Sequence, residues 1–442
     1  MIKNKNAGVH IPAFSMFSNS QLIYFVVHKK YTLAHMNKKY FPIIILLFLK
    51  ATALLATEPA VTYKFYGFVR NDFYYNSRQN VEALDGLFNI FPKPIELNSF
   101  GEDKNGQMNA EMLSISTRLG VDLTSAPIGK ALLSAKIECD FAGVATNYYL
   151  IRLRQAYIKF NWPQTELLVG QTWHPMFETC SPTIASLNTG TPFQPFNRSP
   201  QLRLKQDLGK KFTLTLAAIY QMQYVSQGPN GASATYMKNA GLPNLFASIN
   251  REMGDFMVGV GVDTKTIKLN HQLNSSVSGV LFGQYSNTKL QIKAKAIYGQ
   301  NMSDHLMIGG YGVSGIDATY NEATYTNFNT VSSWLNVVYG DKLKGGLFCG
   351  IARNLGTNKT LVADPITGFT AYGYGFYASS QELLNTLYRI SPHVTYTINN
   401  IKFGVEYELS AGEYGKIQAN GKIANPYTVY NHRVLGTVSY LF

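Results

Sequence analysis

The 442-residue chain is 46% hydrophobic and 13% aromatic, with 29 Tyr and 26 Phe against 3 Trp, yet only 15% of it is charged, where soluble domains average about 25%. Mean hydropathy is −0.07, and no apolar run after residue 56 approaches the roughly 20 residues that a membrane helix needs. The three cysteines, Cys139, Cys180 and Cys349, are too few for a disulfide scaffold and match no zinc or redox spacing.

In chain order, the segment "MNKKYFPIIILLFLKATALLATEPA" from Met36 comes first. It has the basic n-region (Lys38, Lys39), apolar h-region (Phe41–Leu49) and small-residue end of a secretory signal peptide cleaved after Ala56. Residues 1–35 then read as sequence upstream of a misplaced start, and 57–442 as the mature protein. The formal net charge of +13 includes seven Lys and no acid within 1–56, leaving 13 − 7 = +6. No basic stripe with interleaved aromatics follows, so nucleic acid is not expected as a partner.

From Val61 onward the period is two. Tyr63, Phe65, Gly67, Val69, Phe73 and Tyr75 form one row, and Lys64, Tyr66, Arg70, Asp72 and Tyr74 the other. The alternation returns near 113–123, 212–224, 256–262, 290–298, 401–409 and in the terminal "NHRVLGTVSYLF". Runs of about ten residues whose apolar rows end in Tyr, Phe or Trp are the dyad pattern of a transmembrane β-barrel. One alternating segment suits a sandwich equally well, but the long repetition behind a signal peptide does not. Short turns fall at 125–130, 162–164, 207–211, 251–255, 286–288, 340–344 and 399–400. Long loops fall at 77–108, 142–149, 174–199, 225–242, 266–275, 300–326, 354–386 and 411–427. Together these give an all-β, antiparallel barrel of 16 strands, with short periplasmic turns and long extracellular loops. Strand four, "LIRLRQAYIKFNW", changes parity near Gln155, which predicts a bulge or a wall against another subunit. Because no open sheet edge is tolerated in lipid, the last strand is expected to pair with the first. Phe442, Tyr440 and Val438 then form a terminal aromatic and apolar row at the lipid interface. That row resembles the C-terminal signal read by the outer-membrane barrel-assembly machinery.

Several stretches resemble the DcaP-like trimeric porins, including their relatives in Bacteroidetes. They are "RQAYIKF" at 154–160, "LLVGQTWHPMF" at 167–177, "NAGLPNL" at 239–245, "VGVGVDTKTIKL" at 258–269 and "GQNMSDHLMIGGYGV" at 299–313. "GGLFCGIARNLGT" at 345–357, "YRISPHVTYT" at 388–397 and "FGVEYELSAGEYG" at 403–415 continue the series. The resemblance runs in order along most of the mature chain. It implies a homotrimer of sixteen-stranded barrels in the outer membrane of a Gram-negative bacterium, passing small hydrophilic and often acidic solutes.

No cofactor or metal is expected, since the eight His lie at no metal-ligand spacing. "GYGVSG" at 310–315 matches a dinucleotide fingerprint but opens no helix, and "SDH" at 303–305 falls on an outer loop. No catalytic constellation is legible, so an enzyme is not expected. The residues that parity turns inward are candidates for lining a pore. The basic ones are Arg70, Arg118, Lys136, Arg152, Arg154, Arg203, Lys205, Lys293, Lys295, Arg389 and Arg433; the acidic ones are Asp72, Asp122, Glu138, Asp140, Glu406 and Glu408. Taken singly, each reads as a solvated lumen residue paired across strands. As a set they orient water and select solutes by sign, and Arg203 with Lys205, just after loop 174–199, are expected to favour anions. That loop suits either a packed inward position or the surface. Two functions remain open: a passive channel for small hydrophilic solutes, or a closed barrel used for catalysis or surface binding.

Overall fold

The computed structural model describes residues 61–143 and 150–442; the proposed start, signal peptide and cleavage site lie outside them. A single antiparallel sheet closes into a barrel of 16 strands. The strands are β1 (Thr62–Asn76), β2 (Asn109–Leu113 and, after a break, Arg118–Ile128), β3 (Ala131–Asp140), β4 (Arg152–Asn161), β5 (Thr165–Trp173), β6 (Arg198–Asp207), β7 (Phe212–Ile219) and β8 (Asn244–Met253). The second half comprises β9 (Phe256–Leu269), β10 (Gln272–Ser286), β11 (Leu290–Gln300), β12 (Glu322–Gly340), β13 (Leu343–Thr357), β14 (Glu382–Ile398), β15 (Ile401–Ile417) and β16 (Ile423–Leu441).

Alternation decides which way each side chain points. The outward rows expose apolar and aromatic groups that water would reject and lipid accepts. Tyr63, Phe65, Phe256, Tyr339 and Tyr440 ring the short-turn end, and Phe73, Tyr298, Tyr388 and Tyr430 the other. All seven predicted short turns are present. Strand lengths are uneven. β3 to β8 have 8–10 residues each, about what a tilted strand needs to cross lipid. β12, β14, β15 and β16 have 17–19 and rise beyond it. Stretches read as loops at 266–275, 300–326 and 411–427 are therefore largely continued ladder. β9 and β10 stay paired from Phe256↔Tyr285 to Leu269↔Gln272, and β15 and β16 to Ile417↔Ile423.

The seam pairs Phe68–Asn76 of β1 with Leu441–Arg433 of β16. Beyond it, the Phe442 N–H donates to Gly67 O at 3.1 Å and the Gly67 N–H to Phe442 O at 3.0 Å. Gly67 is required there, because a Cβ would overlap the Arg118 carbonyl and press on the Phe442 ring. The parity change in strand four is a bulge. Glu138 pairs with Gln155 and Cys139 with Leu153, leaving Arg154 as the extra residue.

The barrel is not hollow. The 77–108 segment, expected outside, sends a hairpin (Asn80–Ala83 with Phe88–Pro92) into the lumen, where Phe88, Ile90 and Phe91 are buried. Loop 174–199 also folds inward. Its Phe177, Phe193 and Phe196 pack with that hairpin and with Trp334 and Phe348 of the wall.

Candidate functional site

The 174–199 loop leaves β5 through a four-residue helix, α1 (Pro175–Glu178). Pro at its first position suits the start, and His174 caps it, Nδ1 accepting the Met176 N–H at 3.1 Å. Irregular backbone buried in a barrel has no ladder, so its polar groups need side-chain partners. The inward rows supply them. Glu406 accepts the N–H groups of Ala185 and Ser186, both at 2.8 Å, and the Ser391 hydroxyl at 2.6 Å. Lys293 donates to Ser181 O at 3.0 Å, and Lys295 to Met176 O. Arg389 donates to Thr191 O at 2.6 Å and to Ile90 O of the inserted hairpin at 2.7 Å. Glu408 accepts from Asn89 and, at 3.2 Å, from Asn188. These five charges were read as solvated lumen groups. Four of them are instead buried and Lys293 is half-buried, and all five are occupied in holding the two inserted segments.

The β1 to β4 wall behaves differently. Between it and the loop lies a cavity of about 320 Å³ lined by Arg70, Arg118, Arg152, Arg154 and Asp140, with Phe68, Trp173 and Tyr224. Arg152 grips Asp140 with two bonds, 3.0 and 2.7 Å. Arg154 bridges Asp140 at 2.7 Å and Glu138 at 2.8 Å. Arg70 forks onto Asp72 at 2.9 and 2.6 Å and donates to Ala185 O at 2.9 Å, and Asp72 also accepts from Ser116 at 2.8 Å. Arg118 has the loosest contact, 3.8 Å from Glu138, with its guanidinium 4.9 Å above the Phe68 ring. The four arginines meet the three carboxylates Asp72, Glu138 and Asp140, so 4 − 3 leaves one positive charge. Lys136 sits nearer the short turns, 3.0 Å from Asp122.

Arg203 and Lys205 do not line this cavity. Arg203 is buried and ion-paired to Glu178 of α1. Arg433 lies over Tyr74, at 4.4 Å, and donates to Asn76 at 3.2 Å. Arg198 was missed. It is fully buried, its guanidinium 4.5 Å from the Trp173 ring, donating to the Tyr224 hydroxyl at 3.0 Å while Nε and Nη1 find no partner among the described residues. A two-residue count outward from Arg203 passes through Ser199 and misses it.

A second polar cluster was also missed. The "SDH" stretch is not on the surface: Asp304 and His305 are buried in a 3₁₀ turn, Met302–His305, beneath the long loops. Lys265 of β9 is ion-paired to Asp304. His174 Nε2 lies 3.3 Å from Asp263 Oδ1, and the His174 and His305 rings meet edge-on with centroids 4.7 Å apart. Burial pushes the His305 imidazole down to about 4 against the pull of Asp304. "GYGVSG" lies within the strand Gly309–Asp317, paired with β12 on one side and with Ala371–Tyr374 on the other. It opens no helix.

No protein-family model and no curated protein matches the chain. Solved structures do. The outer membrane channel DcaP of Acinetobacter baumannii superposes with a TM-score of 0.66 at 20% identity, over 86% of this chain and 97% of that one. OmpT, an outer membrane protein of Vibrio cholerae, gives 0.52 at 12% identity, over 88% and 99%. The anion-selective porin from Comamonas acidovorans gives 0.50 at 8% identity, over 86% and 100%. The likeness is one of fold: this chain has the barrel of the outer-membrane porins.

Proposed function

We propose that the protein is a passive outer-membrane channel for small hydrophilic solutes that prefers anions, with organic acids and short peptides as cargo. The observation that carries the preference is the surplus cation at the cavity. Four arginines lining it meet three carboxylates, and among the described residues Arg198, buried against Trp173, has no carboxylate partner. A positive water-filled narrowing raises the local anion concentration and repels cations. Guanidinium forks also match the two oxygens of a carboxylate. Arg70, Arg118, Arg152 and Arg154 are the pore-lining residues of this reading.

We infer a homotrimer as well. The low wall β3–β8 carries no projecting ladder on that side, and the bulged strand β4 belongs to it. The sequence resemblance to the DcaP-like trimeric porins supports the same arrangement. Cross-linking in mild detergent that yields only monomers would remove it. Phe442, Tyr440 and Val438 serve as the assembly signal in this reading, and the host is a Gram-negative bacterium of the Bacteroidetes type.

Planar-bilayer recording of the purified protein in a salt gradient tests the function. Stepwise currents with a reversal potential on the anion side are expected. The densely filled lumen favours one rival, a closed barrel used for surface binding or catalysis. A silent bilayer would support that rival, and a cation-selective current would refute the preference.

A further inference from the structure

We propose that His174, Asp263 and His305 bind one divalent transition-metal ion, with zinc the fitting element, and that this ion fastens the root of the inward loop to the barrel wall. The three residues lie far apart in sequence and on different elements: the end of β5, the middle of β9 and the 3₁₀ turn. One ligand atom from each lies within 4.8 Å of the others. An ion bonded at about 2.0–2.2 Å to nitrogen and oxygen holds tetrahedral ligands about 3.3 Å apart. The His174 Nε2 to Asp263 Oδ1 distance of 3.3 Å already meets that spacing, and small side-chain rotations bring His305 to it.

The atoms are also vacant. Among the described residues, His174 Nε2, Asp263 Oδ1 and both ring nitrogens of His305 are buried without a hydrogen-bond partner. Their residues are 0%, 4% and 1% exposed. An imidazole sealed from water with neither nitrogen engaged is costly and rare, and a metal bond satisfies it. Charge permits a dication. Asp263 and Asp304 contribute two negative charges and Lys265 one positive, and Lys265 is held on Asp304 rather than on Asp263. Two nitrogens and one oxygen suit zinc, whereas calcium and magnesium take oxygen shells. Asn244, hydrogen-bonded to Asp304 at 3.4 Å, also leaves its Oδ1 without a partner among the described residues.

Binding has a local consequence. With Nδ1 accepting the Met176 N–H, the ring proton of His174 sits on Nε2. Coordination at Nε2 moves that proton to Nδ1, so no net proton is released, and the Met176 N–H loses its acceptor. The ion therefore exchanges the helix cap for a direct tie between loop, wall and turn. That tie lies next to Trp173, which lines the cavity.

The test uses the full-length protein purified from outer membranes without a histidine tag or chelator. Elemental mass spectrometry is expected to find about one zinc per chain. After stripping, titration with cobalt(II) alone should give the visible absorption of a low-symmetry site, saturating at one equivalent. Asp263→Asn and His305→Gln should each weaken cobalt binding at least tenfold while keeping the heat-modifiable mobility of a folded barrel. If either variant fails to fold, the other and the wild-type titration decide. A folded wild type that takes up no cobalt at one equivalent would overturn the proposal, since the cluster would then be only a hydrated polar knot. Both folded variants binding as tightly as wild type would overturn it too.

Discussion

Arg118 is the surplus charge at the cavity, so its removal is the sharpest test of selectivity. Arg118→Gln takes the β1 to β4 group from one net positive charge to none. Glu138 is not orphaned by this change, because Arg154 remains 2.8 Å away. A sphere with the cavity's 320 Å³ has a radius of about 4 Å, which puts a solute at its centre about 6 Å from the guanidinium. In water a unit charge at that distance is worth about 0.7 kcal/mol, lost by an anion and gained by a cation, so the permeability ratio moves by up to about tenfold. Screening at 0.1 M salt, where the Debye length is about 10 Å, reduces the change to about threefold. Reversal potentials in a chloride gradient measure it. Arg118→Lys keeps the charge and should stay near wild type. An unchanged reversal potential in Arg118→Gln would show that the field arises elsewhere, and an equal shift in Arg118→Lys would show that shape rather than charge is responsible.

Arg203→Gln with Lys205→Gln should leave the reversal potential within error of wild type, because neither side chain lines the cavity; a clear shift would contradict this placement. Glu406→Ala strips the acceptor from two buried loop N–H groups, at about 1–3 kcal/mol each. Single-channel traces should become noisier with a larger mean conductance, while the barrel still resists SDS at room temperature. Deleting Phe442, or changing it to Asp, removes the Gly67 exchange at the seam or sets a charge in the interface, which costs less there than the roughly 2–4 kcal/mol at midplane. The main effect should be a lower level of assembled protein in the outer membrane, read by heat-modifiable mobility.

The wall was legible in the sequence because lipid and lumen impose opposite demands on successive residues. The rows of β1, β11 and β15, the seven turns and the extra residue of β4 all follow from that. Above the membrane the demand lapses while the ladder continues. Thr266 and Ser275, read as loop, face each other across β9 and β10 with their hydroxyls 2.9 Å apart. Parity placed Glu406 and Arg389 inside but gave no hint of their work, which depends on which loop returns to meet them. The His174, Asp263 and His305 cluster was illegible for the same reason: no chain spacing encodes a meeting of three elements inside a closed wall.

A strand of regular pleat offers the lumen one side chain in two, and every charge added to it must replace one already there. At Arg154 the extra residue lifts that limit. Arg154 and Gln155 stand side by side within the barrel, the one bridging Asp140 and Glu138 and the other accepting from Thr172 at 2.9 Å. Leu153 and Ile158 still face lipid on either side of them. A single inserted codon can thus enrich a pore while the membrane face and the strand count stay as they were. Deleting one at the same place would empty it as simply.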